Sequence, residues 1–374
     1  MGRTLAVRLD SDGDVLLTGP AVRALARAGN PVDLLASPSG AAAARLLPDV
    51  ADVLVHAAPW TGFRPPPVDR AATLGLVDEL AVRGYDLAVV FTSYHQSPLP
   101  MALLARLAGI GRVVATSEDY PGSLLDVRHR RADPPGGGHE VEAAVELAVA
   151  AGAPEPDEDG RRLAVRRPLP GLPGEVAALP DGWVVLHPGA SVPSRGLDPV
   201  HAGSLVAGLT AAGHAVVLTG GPGERELAAA VHGASGPPVP GVPVLDLAGR
   251  TDLPGLAAVL DAARCVVVGN TGPAHLAAAV GTPVVSLFSP VVPAERWAPW
   301  GVPLALLGDQ DAPCRGTRAR DCPVPGHPCL SSVPASDVVA AVERLTGRHD
   351  GRHGGRHGEP VAVPGAEGGR ACAS

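Results

Sequence analysis

Two doubly wound α/β halves joined by a proline-rich connector are predicted for this chain, on three observations. Short β-rich apolar runs alternate with helical patterns from residue 4 to 116, and the same alternation restarts at 183 and runs to 288. Between them, residues 153–181 are rich in charge, Pro and Gly and follow neither period. At 374 residues the chain also exceeds what one ordinary hydrophobic core covers.

In the first half, TLAVRL (4–9), VDLLA (32–36), DVLVH (52–56), DLAVVF (86–91) and RVVAT (112–116) predict strands. Helices are expected at 15–29, 40–47, 68–84 and 99–109, several ending on a Gly that can take the left-handed stop. The stretch 117–138, which holds DVRHRRADPPGGG, predicts a loop, and HEVEAAVELAVAAG (139–152) a further helix. Strands recur at WVVLHPG (183–189), AVVLTG (215–220), VLDLAG (244–249), CVVVGN (265–270) and PVVSLF (283–288). Alternation of this kind builds parallel sheets, whose ligands sit beyond the carboxyl ends of the strands. A first domain over 1–170 and a second over 171–346 follow, with the cleft between them as the expected site. The last helix is expected to pack back on the first domain. Residues 347–374, which include GRHDGRHGGRHGEP, are low in complexity and expected to be disordered rather than a metal site.

Composition narrows the function. The apolar mass is mostly Ala, Val and Leu with only 3% aromatics, so helices can sit close on a parallel sheet. All 30 basic residues are Arg, which reads as GC-rich codon usage and excludes a P-loop, whose Lys is indispensable. A net charge of -8 argues against a nucleic-acid binder. No apolar stretch is long enough to span a membrane and MGRTLAVRLD opens a strand rather than a secretion signal. A cytoplasmic location is expected, with at most peripheral contact at the inner face of the membrane. Five Cys are too few for a disulfide scaffold.

Four strand-to-helix turns hold the residues that could carry chemistry. The first, RLDSDGDV (8–15), places Asp10, Asp12 and Asp14 around one Gly at a helix start. One carboxylate there serves as a cap favoured by the helix dipole; three exceed that need, and a general base at the cleft mouth is the competing use. The second, HPGASVPSRGLDP (187–199), puts Ser191 and Arg195 ahead of a helix, where an Arg clamps phosphate oxygens or simply lies on the surface. In the third, GGPGERELAAA (220–230), Glu224 or Glu226 could accept hydrogen bonds from ribose hydroxyls beside Gly221, or these first-turn acids merely complement the helix dipole. The fourth, GNTGPAHLAAAVGTP (269–283), offers the N–H groups of Thr271, Gly272 and Ala274 as an anion site, beside Asn270. His275, one turn in, is a packed cleft histidine or a ligand contact.

Together these segments resemble glycosyltransferase family 9. Arg8, Gly13-Asp14-Val15, Thr18 and Pro20 resemble its first motif, and HEVEA (139–143) its His-x-Val-Glu/Asp-Arg helix, with Ala143 where Arg or Asn often stands. HPGAS…SRGL is similar to its second-domain loop, and GNTGPAHLAAAVGTP to its Asp-Thr-Gly signature. The resemblance implies a GT-B fold, two facing Rossmann-like domains with acceptor in the first and nucleotide-sugar in the second. It implies an inverting, metal-independent transfer of heptose or a similar sugar from a nucleoside-diphosphate donor, ADP-linked, to a saccharide or glycoconjugate, with no cofactor required. Asp14 maps onto the catalytic base, with Asp10 and Asp12 on the acceptor side. Arg195, Ser191, Asn270, Thr271, Gly272 and His275 map onto the donor phosphates, and Glu224 and Gly221 onto ribose and base. Three departures stand out: Asn270 replaces Asp, Gly196-Leu197 replaces an aromatic and should loosen the Arg195 loop, and Asp12 should raise the basicity of the acid cluster.

Cys314, Cys322, Cys329 and His327 supply enough donors for zinc, but their spacing lacks the paired CxxC of a zinc ribbon; reduced thiols or a local disulfide are the alternatives. Two rival functions share the architecture. A nucleotide-sugar 2-epimerase would use the acid cluster, and a non-catalytic nucleotide-sugar binder would account for Asn270.

Overall fold

The computed structural model describes residues 2–347 except 63, 94 and 132–137. The first sheet takes β1 (Thr4–Arg8), β2 (Val32–Ala36), β3 (Val50–Val55), β4 (Leu87–Phe91), β5 (Arg112–Thr116) and β6 (Val127–His129). Around it lie α1 (Asp12–Arg27), α2 (Ala41–Leu46), α3 (Arg70–Arg83), α4 (Leu99–Leu107) and α5 (Glu140–Ala150). After the short α6 (Gly174–Ala177), the second sheet takes β7 (Val184–His187), β8 (Val216–Leu218), β9 (Val244–Asp246), β10 (Cys265–Gly269), β11 (Val284–Leu287) and β12 (Leu304–Leu307). Its helices are α7 (Pro199–Ala211), α8 (Arg225–Ala234), α9 (Leu253–Ala262), α10 (Gly272–Val280), α11 (Ala294–Trp297), α12 (Pro328–Ser331) and α13 (Ala335–Gly347).

Both sheets are wholly parallel and share one topology. The orders are β3-β2-β1-β4-β5-β6 and β12-β11-β10-β7-β8-β9, each the dinucleotide-fold order built from one half of the chain. Order reverses between β1 and β4 in the first sheet and between β7 and β10 in the second. At such switch points the following loops diverge to opposite faces and leave a crevice. The turns after β1, β7 and β10 are three of the four singled out from the sequence.

The central strands β1 and β10 are buried throughout, which explains their continuous Val/Leu/Ala runs. Small residues let the two halves meet: α1 packs on α10, and Ala274, Ala277 and Ala278 belong to the same core cluster as Val15, Leu16 and Val22 of α1. Other ties cross on the connector side. His139 Nε2 lies 2.9 Å from the Ala298 carbonyl, Trp300 Nε1 donates to Arg161 O, and Arg167 makes a two-pronged pair with Asp261 at 2.7 and 2.9 Å.

Two expectations are corrected and one strand is added. The stretch 117–138 is not loop throughout, because Val127–His129 pairs with β5 as an edge strand. A strand also forms at Leu304–Leu307, next to β11. The last helix does not return to the first domain: α13 packs on α7 and the second sheet, where Val338, Ala341 and Val342 fill that domain's core. The low-complexity tail falls, apart from Gly347, outside the described residues.

Candidate active site

The three aspartates of the first turn have three different surroundings. Arg8, the last residue of β1 and 3% exposed, points along the crevice and organises two of them. Its Nε lies 2.9 Å from Asp10 Oδ2, and its Nη2 donates to Asp14 Oδ1 at 3.1 Å and to Ser93 Oγ at 3.0 Å. Burial opposes the Arg8 charge, but Asp10, Asp14 and Glu140 outweigh it and raise its pKa. Asp10 is held on its other side by Gln96 Nε2 at 2.6 Å; burial and the Asp14 charge push its carboxyl up while Arg8 pulls it down. Asp12 leaves this cluster. Its Oδ1 accepts the Ala43 N–H at 2.9 Å, serving the first turn of α2, so it adds no charge beside Asp14 as the sequence suggested.

Asp14 is the third residue of α1, with Oδ2 accepting from Ser11 Oγ at 3.1 Å and a side chain 22% exposed. Burial lowers the pKa values of Arg195 and His275 in the second domain, and the Asp14 charge opposes that lowering in both. The reason is the close approach of two helix N-termini. A Cβ on Gly13 would stand 3.3 Å from Gly272 Cα and 3.0 Å from His275 Cδ2, so glycine at 13 lets α1 meet α10 there.

On the far side, Arg195 ends a 3-10 turn, Pro193–Arg195. This loop is not loose despite its missing aromatic. Ser194 is fully buried and donates to Arg320 O and Ala319 O, and Leu197 N–H bonds to Pro188 O. The loop lies over the end of β10, where a Cβ on Gly269 would come 2.4 Å from Arg195 O. Arg195 Nε is buried with no hydrogen-bond partner, which leaves a guanidinium edge available to an anion.

The turn after β10 offers fewer amides than the sequence promised. Thr271 N–H is spent on Gly269 O and Ala274 N–H on Thr271 O, and Pro273 has none, which leaves the Gly272 N–H of this turn. The helix dipole still points its positive end at the crevice. His275 is buried, its Nδ1 has no partner, and burial holds the imidazole at about 4, so it is neutral near pH 7. Asn270 is a clip rather than a ligand group: Nδ2 donates to Ser289 O and Oδ1 accepts from Ser289 N, both at 3.1 Å. An ionised Asp could not make the first of these bonds.

Glu224 folds back so that its Oε2 accepts the Gly221 N–H at 2.7 Å and lies 3.8 Å from His187 Nε2. Burial keeps His187 below its ordinary pKa, and its Nδ1 is 3.0 Å from Thr219 Oγ1. Ser191 is exposed on the loop after β7. Cys314, Cys322 and Cys329 are free thiols, and among the described residues no three of His, Cys, Asp or Glu gather as metal ligands. Among the described residues no helix is long and apolar enough to cross a membrane.

Sequence reasoning left Arg8 without a role and missed Glu140, Arg131 and Arg296. Glu140 lies 2.7 Å from Arg131 and 3.6 Å from Arg296, the latter brought in by α11 of the second domain. Arg8 had two signals, its place at the end of a buried strand and its place in the first motif; the Glu140 cluster joins residues from both halves of the chain and left none.

The geometry has known counterparts. The model of glycosyltransferase family 9 (heptosyltransferase) matches residues 74–326. Lipopolysaccharide heptosyltransferase 3 of Escherichia coli is 30% identical over 292 residues, covering 72% of this chain and 78% of that protein. The E. coli ADP-heptose lps heptosyltransferase II superposes with a TM-score of 0.68 at 19% identity, covering 93% of this chain and 100% of that one. The E. coli heptosyltransferase WaaC, solved with ADP, gives 0.66 at 22% identity, covering 92% and 99%. These likenesses place the two sheets in the GT-B fold. With the family model matching residues 74–326 and a heptosyltransferase 30% identical over 72% of the chain, this chain belongs to glycosyltransferase family 9.

Proposed function

We propose that this chain is an inverting, metal-independent transferase that moves a heptose or similar sugar from an ADP-linked donor to a saccharide or glycoconjugate hydroxyl. The observation that carries the reading is the close approach of the α1 start, which bears Asp14, to the α10 start at Gly272 and His275. Asp14 takes the proton of the acceptor hydroxyl as that oxygen attacks the anomeric carbon. The bond from that carbon to the diphosphate breaks with its electron pair going to the phosphate oxygen. Attack from the side opposite the leaving group inverts the anomeric centre.

The departing diphosphate gains charge and needs donors already aimed at it. Arg195, Gly272 N–H and the α10 dipole supply them, with Thr271 and the neutral His275 alongside. Ser191, Glu224 and Gly221 lie on the donor side, where Glu224 would exchange its bond to Gly221 for a ribose hydroxyl. Closure of the two domains about the connector would exclude water, which otherwise hydrolyses the donor. Arg8, itself held by Asp10, holds Asp14 in place.

The donor nucleotide is suggested by the relative solved with ADP, and the acceptor class by the lipopolysaccharide enzyme of E. coli. Asn270, whose amide is spent on Ser289, gives no ground for a non-catalytic reading. The test is incubation with ADP-heptose and a core oligosaccharide in the presence of EDTA, following ADP release and the product anomer by NMR. Retained configuration, or loss of turnover in EDTA, would contradict the mechanism. Donor epimerised without acceptor would overturn the transfer itself.

A further inference from the structure

Beside the Arg8–Asp14 pair the first sheet opens into a cavity of about 390 Å³, a usual size for a small-molecule site. Its wall holds three arginines, Arg8, Arg131 and Arg296, and three carboxylates, Glu118, Asp119 and Glu140. The arginines are all engaged. Arg8 pairs with Asp10 and Asp14 at 2.9 and 3.1 Å, while Arg131 and Arg296 flank Glu140, whose side chain is 4% exposed. Glu118 and Asp119 are exposed and put two negative charges at the open side. His95, another lining group, is held at about 4 by burial and Arg318 and is neutral near pH 7. Among the described lining residues the other polar groups are uncharged, Ser93, Gln96, Thr116 and Ser117 among them, and Phe91, Pro98 and Ala143 form an apolar side.

We propose that this cavity seats an uncharged sugar of the acceptor and rejects one that carries a phosphate or carboxylate. An anionic group would pass Glu118 and Asp119 and then find each lining arginine already holding a carboxylate. Taking Arg8 would leave the nearly buried Asp10 without its guanidinium, and taking Arg131 would leave Glu140 with Arg296 at 3.6 Å alone, which costs more than breaking an exposed pair does. Hydroxyls and an amide over an apolar wall meet a polyol without that penalty. Ala143, on α5, contributes a methyl and no charge to this wall. The inference rests on the glycosyl-transfer reading and names the acceptor chemistry of its site.

The experiment measures binding of methyl α-mannopyranoside and its 6-phosphate to the ADP-saturated protein by ligand-observed NMR near neutral pH. The neutral glycoside should bind at least about tenfold more tightly, a difference of about 1.4 kcal/mol. The double variant Glu118→Gln, Asp119→Asn alters only exposed side chains and should narrow that gap to within about threefold. Ala143→Arg should narrow it further by adding an unpaired cation. The 6-phosphate binding as well as the neutral glycoside, or a gap unchanged in the double variant, overturns the proposal. So does failure of the neutral glycoside to bind while ADP still raises the melting temperature. Failure of ADP itself to raise it would instead count against the transferase reading.

Discussion

Replacing Asp14 by Asn separates a proton acceptor from a structural carboxylate, because the fold loses little. The amide keeps an oxygen for the Arg8 Nη2 donor, and the Ser11 hydroxyl can rotate to accept from the new NH₂ group. Arg8 retains Asp10 at 2.9 Å and Ser93 at 3.0 Å, so its buried charge stays compensated. What is lost is the charge assistance of one hydrogen bond, about 1 kcal/mol, or a melting shift of about 2–4 °C for a domain of this size. Catalysis should suffer far more, with kcat down by about 10²–10⁴. Donor affinity, set by groups across the crevice, should stay within about threefold, a difference under about 0.7 kcal/mol. The assay is ADP release under saturating donor, paired with calorimetric titration of ADP. A kcat within tenfold of the parent, or a loss confined to ADP affinity, would refute Asp14 as the base.

Arg195→Ala should weaken ADP binding by about 10–100-fold, the value of one or two charge-assisted bonds, with Arg195→Lys in between; calorimetry decides. Gly13→Ala drives a methyl to 3.0 Å from the His275 ring and 3.3 Å from Gly272 Cα. It should lower kcat with little change in melting temperature, and equal kcat would show the two helix ends need not approach. Asn270→Asp leaves Ser289 O without its donor and facing a buried carboxylate, so the melting temperature should fall in line with about 1–3 kcal/mol. His275 and His139 are each held at about 4 against an ordinary 6.5, so the unfolded chain binds protons that the native chain refuses. Stability from these two is complete above pH 6.5 and lost towards pH 4, at up to about 1.4 kcal/mol per pH unit each. Denaturant titrations across that range measure the slope, which His275→Asn should flatten.

The sequence by itself determined the elements and the turns. Continuous Val/Leu/Ala runs mark strands buried on both faces, and such runs need no tertiary information to be recognised, so β2 and β5 were bounded to the residue. The edge strand β6 escaped because its VRH carries two polar side chains in three residues and lies inside a charged, Pro- and Gly-rich stretch, whereas the equally short edge strand β9 was legible from the apolar VLDLAG run. The four turns were legible because strand–turn–helix periodicity locates the carboxyl edge, where the site of a doubly wound sheet lies.

Only the tertiary structure decided which side chains of those turns face the crevice. Asp10, Asp12 and Asp14 look alike in sequence, yet one is clasped by Arg8 and Gln96, one holds the first turn of α2, and one is held by Arg8 and Ser11 at the helix start that meets α10. Asn270 reads as an altered ligand until Ser289, 19 residues on, takes both ends of its amide. Glu140 acquires its meaning from Arg296 in the other domain. Periodicity reports the neighbours a residue has along its own helix or strand; the partner that neutralises a buried charge comes from wherever the chain folds back, and no local pattern encodes that meeting.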